Sequence, residues 1–162
     1  MGHDFIIIGA GLIGMLTARE LRAAGASVTL VDRGQCGREA SWAGGGILSP
    51  LYPWRYARAI TALAAWGQRA YPELASALAR ESGIDPELTV SGMLIVDVAD
   101  QAEALAWAGQ YKVRIETPGP REWSAIEPAL SCVETDVLGA TALWMPDIAQ
   151  VRNPRLVRAL RD

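Results

Sequence analysis

Residues 4–14 decide the fold: they read Asp4-Phe5-Ile6-Ile7-Ile8-Gly9-Ala10-Gly11-Leu12-Ile13-Gly14. The run up to Ile8 is apolar, rich in β-branched residues and ends at a glycine. Such a run is typical of a central parallel strand that is buried on both faces. The glycines that follow have the spacing GxGxxG, which in this context indicates the start of a nucleotide-binding unit.

The residues after this stretch complete a strand–helix–strand pattern. Leu12 to Ala24 has helical periodicity, and Gly25 is placed to cap the helix,. The apolar side of this helix is formed by Ile13, Leu16, Leu21 and Ala24. Ser27 to Val31 is a second β-rich run and ends at Asp32. The first 32 residues therefore predict a βαβ unit.

Each glycine of the GxGxxG motif has its own task. Gly9 permits the tight turn, Gly11 lets the backbone approach a pyrophosphate, and Gly14 lets the helix lie close to the strand. The free N–H groups of the first helical turn and the helix dipole favour a phosphate there. The alternative interpretation is that the glycines only shape a turn.

Asp32 is the acidic residue that the motif requires, 18 residues after Gly14. A carboxylate at the end of the second strand accepts hydrogen bonds from both ribose hydroxyls and disfavours a 2′-phosphate, so we do not expect NADP. The motif alone leaves NAD and FAD open. The alternative interpretation for Asp32 is a solvated strand end.

The segment from Gly34 to Pro53 carries five glycines and two prolines and has no periodicity. Loops of that length inside a domain are usually functional. Its three consecutive glycines, Gly44, Gly45 and Gly46, allow the backbone to approach a flat ligand,. An isoalloxazine ring needs such a loop more than a nicotinamide does, which favours FAD. A merely flexible glycine loop is the alternative.

The later elements are predicted from periodicity and turn residues. A helix is expected from Arg55 to Ser82, kinked or split at Pro72, and a strand from Met93 to Val96,. A second helix, capped by Asp100, should run to about Gln110, and a second strand from Val137 to Trp144,. A last helix is expected with Asn153 as N-cap and Pro154 in its first turn,. That last pattern stops at Asp162, roughly two turns in, and the strands are few for a doubly wound sheet. We therefore expect a piece of a longer protein.

Composition excludes several classes of function. The chain has 162 residues, 51% of them hydrophobic and 20% charged, with a formal net charge of −3. Scattered basic residues argue against a nucleic-acid partner, and no run is long enough for a membrane span. Without a signal segment we expect a cytoplasmic protein. Cys36, Cys132 and His3 have no metal-ligand spacing, so neither a metal site nor a disulfide is expected,.

Residues 9–14, Asp32-Arg33 and above all residues 39–54 resemble the amino-terminal half of the glycine oxidases of thiamine biosynthesis, within the D-amino-acid oxidase family of FAD-dependent oxidoreductases. The resemblance continues weakly through residues 92–94, 127–128 and 156–160. It implies an α/β fold: a Rossmann-like FAD-binding domain that starts with the βαβ unit, interleaved with an α+β substrate domain. The implied segments are 1–83 in the FAD domain, 84–150 in the substrate domain, and 151–162 as a truncated helix returning to the FAD domain.

The resemblance also implies the cofactor-binding residues: Gly9, Gly11, Leu12, Ile13, Gly14, Asp32, Arg33, Ala40, Ser41, Gly44, Gly45, Gly46 and Ile47. In that resemblance Leu12 and Ile13 would lie beside the pyrophosphate, and Asp32 and Arg33 would hold the adenosine end. Ala40 and Ser41 would lie at the phosphate and ribityl region. Gly45 to Ile47 would border the flavin. Many relatives have Glu in place of Asp32 and a small residue in place of Trp42. The arginine that pairs with the substrate carboxylate belongs to the carboxy-terminal half, so no catalytic residue is assigned.

The activity that the resemblance implies is oxidation of glycine, sarcosine or another small amine, with O₂ reduced to H₂O₂. Two alternatives stay open: an FAD-dependent dehydrogenase of another amine or D-amino acid, and a non-catalytic nucleotide-binding module. Because sheet surface would be left uncovered, we also expect association with a second copy or with the missing carboxy-terminal half.

Overall fold

The computed structural model describes residues 2–132 and 141–162. The helices are α1 Leu12–Ala23, α2 Ala40–Ala43, α3 Arg58–Ser82, α4 Gln101–Tyr111, α5 Pro120–Ile126 and α6 Asn153–Arg161, with 3-10 helices at Pro53–Arg55 and Pro128–Cys132. The strands are β1 Phe5–Ile8, β2 Val28–Val31, β3 Thr89–Val90, β4 Met93–Val96, β5 Ala142–Met145 and β6 Ala149–Gln150. Within the described ranges, no helix is both long and apolar enough to cross a bilayer.

The predicted βαβ unit is confirmed. Strands β1 and β2 pair in parallel, with Phe5 opposite Val28 and Ile8 opposite Val31, and α1 connects them. Gly25 follows the end of α1 with φ +90°, and its N–H donates to the Arg22 carbonyl at 2.9 Å. Glycine adopts this left-handed conformation at no steric cost, which is why the helix ends there.

The prediction that β1 is buried on both faces is wrong for the described part of the chain. Ile6 and Ile8 are 69% and 88% exposed. Side chains alternate along a strand, and the Ile7 face is the one that α1 approaches, since a Cβ on Gly14 would lie 3.5 Å from Ile7 Cγ2,. The opposite face has no covering layer among these residues. On α1, likewise, Met15 is buried and Ile13 is exposed, contrary to the predicted apolar side.

Two compact units make up the chain. The first comprises Met1–Gly46, Arg69–Leu88 and Val151–Asp162, and the second comprises Ile47–Gln68 and Thr89–Gln150. Helix α3 contributes to both. The predicted domain boundaries after residues 83 and 150 stay predictions.

The second unit is built on the antiparallel pair β4–β5, with Met93 opposite Met145 and Val96 opposite Ala142. Its core consists of Met93, Ile95, Val98, Ala104, Leu143, Met145 and Ile148. The predicted strand Met93–Val96 is confirmed. Of the predicted strand 137–144, the observed strand begins at Ala142, and residues 137–140 lie outside the described residues. The two-residue pair β3–β6 was too short for a periodicity argument to detect.

Helix α3 corrects the expected start and shows no split at Pro72, and a kink there stays a prediction. It begins at Arg58 because Arg55 belongs to a 3-10 turn, and it runs unbroken through Pro72. Pro72 is exposed, and the 25-residue helix continues on both sides of it although proline donates no backbone hydrogen bond,. Along this helix Leu78 is buried, whereas Leu63 is exposed.

Three local details differ from the sequence expectations. Asp100 occupies the N-cap position of α4, but its carboxylate accepts bonds from Trp54 Nε1 at 2.8 Å and Arg55 Nε at 2.6 Å instead of capping. Arg55, and then Trp54, hold the pKa of Asp100 well below its usual range. Asn153 is the first residue of α6, and Arg152 is its N-cap. The loop 34–53 contains the short helix α2.

Candidate cofactor site

The glycine turn between β1 and α1 lies in the first unit and has a geometry that only glycine permits at two positions. Gly9 has φ +103°, and its N–H donates to the Val31 carbonyl at 2.7 Å. A Cβ on Gly14 would lie 1.9 Å from the Gly9 carbonyl oxygen. The first turn of α1 therefore rests directly on the backbone that leaves β1.

Asp32 is fixed at the end of β2 by two backbone donors. Its Oδ2 accepts the Ala10 N–H at 2.7 Å, and its Oδ1 accepts the Gly34 N–H at 2.9 Å. These bonds, that from Ala10 first and that from Gly34 second, lower the pKa of Asp32 below its ordinary value,. A carboxylate has about four lone-pair positions, so further hydroxyl donors can still be accepted.

Ser41 brings α2 to the amino terminus of α1. Its Oγ accepts the Leu12 N–H at 2.8 Å, and a Cβ on Gly11 would lie 3.1 Å from the same oxygen. The hydroxyl proton of Ser41 is still available for donation. Ile13, by contrast, exposes its side chain to solvent. The sequence-predicted residues Gly11, Leu12 and Ser41 thus meet at one point.

Gly37 fastens the loop after β2 to this turn. Its N–H donates to the carbonyl of the fully buried Ala10 at 2.8 Å. Gly37 has φ +69°, and a Cβ there would lie 2.2 Å from Cγ1 of Val157 on α6. Sequence reasoning assigned neither Gly37 nor Val157 to the site. A glycine close behind Asp32 was the available signal for the first, and Val157 carried none beyond its apolar character.

The three consecutive glycines differ in what surrounds them. A Cβ on Gly44 would lie 2.4 Å from Asn153 Nδ2, and one on Gly46, where φ is +75°, would lie 1.9 Å from the Val151 carbonyl oxygen. The Val151 N–H also donates to the Gly46 carbonyl at 2.9 Å. A Cβ on Gly45 would meet no atom of the described residues within 4 Å. Internal packing thus requires Gly44 and Gly46, and of these three glycines only Gly45 has free space at its Cβ position among the described residues.

The other residues considered for the site have different surroundings from the glycine turn. The guanidinium of Arg33 forms an exposed ion pair with Glu39, with Nη2 2.5 Å from Oε1. Ala40 is the exposed first residue of α2. The ring of Trp42 has the Arg38 guanidinium 4.1 Å from its centroid. Ile47 is the first residue of the second unit and bridges to Gln150 there.

Comparison with known proteins agrees with this arrangement. Residues 4–162 match the family described as FAD dependent oxidoreductase. The chain belongs to this family. It is 51% identical to the glycine oxidase of Pseudomonas aeruginosa and 44% identical to that of Pseudomonas putida, in each case over 99% of this chain and 43% of the relative.

Solved structures agree with the sequence comparison. The crystal structure of the glycine oxidase from Geobacillus kaustophilus aligns with 98% of this chain and 43% of its own, with a TM-score of 0.83 and 25% identity. The Rossmann-like, FAD-family fold expected from the sequence is confirmed. The chain spans less than half the length of the relatives that it matches.

Because Gly45 and Gly46 have different surroundings, alanine substitution should change the free energy of unfolding by different amounts at the two positions. Gly46→Ala should lower the free energy of unfolding by more than about 1 kcal/mol, because a left-handed φ and a backbone collision act together. Gly45→Ala should stay within about 0.5 kcal/mol of wild type. Chemical denaturation of both variants measures the difference. Equal destabilisation by the two substitutions contradicts this assignment of their environments.

The lowered pKa of Asp32 predicts a pH-dependent contribution to stability. A carboxyl group with a depressed folded-state pKa stabilises the fold above its unfolded pKa, about 4, and this stabilisation disappears as pH falls through the folded value. Asp32→Asn should therefore melt below wild type at neutral pH, and the gap should narrow in acid. Thermal melts of both proteins between neutral and acidic pH test this. A gap that stays constant with pH rules out the ionic contribution.

Proposed function

We propose that this chain is the cofactor-binding amino-terminal part of an FAD-dependent amine oxidase whose substrates are glycine and small amines such as sarcosine. The observation that carries the proposal is the Gly9–Gly14 turn with Asp32 and Ser41 fixed around it. It occurs in a chain that is 51% identical, over 99% of its length, to a glycine oxidase.

The donors and acceptors at the turn fit an adenine dinucleotide. A pyrophosphate would meet the first-turn amides of α1 and the hydroxyl of Ser41, both of which favour anions. The ribose would meet Asp32, whose remaining lone pairs can accept two hydroxyl protons. A flat ring would meet Gly45, where no described side chain fills the space. The family's FAD is therefore compatible with the residues present.

FAD, when bound, supplies oxidation of an amine to an imine and reduction of O₂ to H₂O₂. The residues of this chain bind and orient: Asp32 holds the adenosine end, and the glycine loop leaves one face of the site open. We assign no substrate-binding arginine here, since the resemblance places it in the carboxy-terminal half. The activity is accordingly proposed for the protein that contains this segment together with the remainder.

The first test is the visible absorption spectrum of the purified protein, with its intact mass, followed by peroxide release on glycine and sarcosine. The two bands of oxidised flavin and peroxide from either amine are expected. Peroxide-free bleaching by the amine, with slow reoxidation in air, indicates a dehydrogenase instead. A colourless protein whose melt is shifted by ADP or NAD indicates a non-catalytic nucleotide-binding module, and Asp32→Asn is the control that should remove the shift.

The uncovered face of β1 supports a second part of the proposal: the carboxy-terminal part of the oxidase covers this face, and without that part the chain associates through it with a second copy of itself. Ile6, Ile8 and Val31 lie exposed on the face opposite α1, and an all-apolar parallel strand is normally covered on both faces,. Sedimentation velocity of this chain at high concentration should show self-association, and Ile8→Ser should reduce it. A monodisperse monomer of the wild-type chain contradicts the proposed association.

A further inference from the structure

The segment that joins β6 to α6 lies against the glycine loop of the first unit. The Val151 N–H donates to the Gly46 carbonyl at 2.9 Å. Two residues later, the side-chain amide of Asn153 lies beside both flanking glycines. A Cβ on Gly44 would be 2.4 Å from Asn153 Nδ2, and a Cβ on Gly46 would be 3.3 Å from Asn153 Oδ1. Helix α2, whose C-cap is Gly44, packs on α6.

Helix initiation does not explain the side chain of Asn153. Asparagine is favoured at the N-cap, where its oxygen accepts a backbone N–H. Here Arg152 is the N-cap, Asn153 is already helical, and no side chain of the described residues caps α6. The Asn153 amide is instead turned toward Gly44 and Gly46, on either side of Gly45.

We propose that Asn153 is a positioning residue, whose side chain fixes the backbone of Gly44–Gly46 so that Gly45 faces the flat ring of the cofactor. This inference rests on the proposed FAD-binding function. Asn153 itself lies behind the loop, against the two glycines that flank Gly45, and acts through them.

The loop has two points of support of different kinds. Gly46 is held by the backbone of Val151, a contact that no side-chain substitution removes directly. The Gly44 N–H donates to the Ala40 carbonyl at 3.0 Å. The Asn153 amide lies where a Cβ of Gly44 would be. Glycine has the largest backbone freedom of any residue, so three in succession keep one conformation only while their neighbours exclude the others. Truncation of Asn153 opens space on one side of Gly44.

The test combines backbone exchange with flavin binding in the intact protein. Asn153→Ala removes the side-chain amide, and Asn153→Asp keeps its shape. The matched control is Arg158→Ala, because Arg158 is an exposed residue of α6 whose Nε donates to the Pro154 carbonyl. Hydrogen exchange at the Gly44 amide, measured without FAD, should be about tenfold faster in Asn153→Ala, equivalent to about 1.4 kcal/mol. Asn153→Asp and Arg158→Ala should exchange as wild type does.

Titration with FAD supplies the second readout. Asn153→Ala should bind FAD about tenfold more weakly than wild type, with altered band shape in the bound flavin spectrum, while Arg158→Ala should match wild type. Asn153→Ser removes most of the same volume and replaces Asn153→Ala if that variant does not fold.

Each outcome separates the positioning role from the proposed function. Wild-type exchange at Gly44 in Asn153→Ala overturns the positioning role. Faster exchange with wild-type FAD affinity and spectrum overturns the connection to the cofactor. If Asn153→Ala speeds exchange at Gly44 but the wild-type protein binds no FAD, Asn153 does position the loop and the proposed FAD function of this chain is overturned.

Discussion

The hydrogen bond from the Ala10 N–H to the Asp32 carboxylate, 2.7 Å long, is the interaction on which the first unit depends. It ties the turn after β1 to the end of β2, and the Gly9 bond to Val31 continues the strand pairing into that turn. The bond can form only because the chain turns at Gly9 and α1 approaches closely at Gly14. One short contact thus fixes the strand ends, the helix start and the acidic side chain together.

The second constraint is supplied by the end of the chain. Helix α6 lies more than a hundred residues after the glycine turn, yet Val157 fills the space beside Gly37, and Val151 and Asn153 support the triple-glycine loop. Gly37 in turn donates to Ala10, the residue that also donates to Asp32. The site is therefore a local motif held in shape by a segment that is distant in sequence, and Cβ atoms are excluded at Gly37, Gly44 and Gly46, where the two meet,.

Short-range features could be read from the sequence, and long-range contacts could not. The βαβ unit, the Gly25 cap and the strand at Met93–Val96 follow from periodicity and turn chemistry, and the structure contains them. The apolar sequence of β1 indicates that both faces need a covering layer, but it does not specify which segment supplies that layer, and the Ile6 and Ile8 side chains have none among the described residues,. Asp100 and Asn153 both read as caps, but the Asp100 carboxylate accepts bonds from Trp54 and Arg55, and the Asn153 amide lies beside Gly44 and Gly46,.

The same reasoning applies to the candidate site. Gly9, Gly11, Gly14, Asp32 and Ser41 were named from a local motif and from a family resemblance, and they lie together. That Gly44 and Gly46 serve packing while Gly45 borders open space follows only from the position of α6, which no local pattern specifies.

We propose that the glycine turn with Asp32 is an adenine-dinucleotide site that excludes a 2′-phosphate. Isothermal titration calorimetry of the protein with ADP-ribose and with its 2′-phosphorylated form tests it most directly. The account predicts binding of ADP-ribose and at least about tenfold weaker binding of the 2′-phosphate, because the Asp32 carboxylate faces the added charge. Equal affinity for the two ligands, or no binding of either, contradicts it.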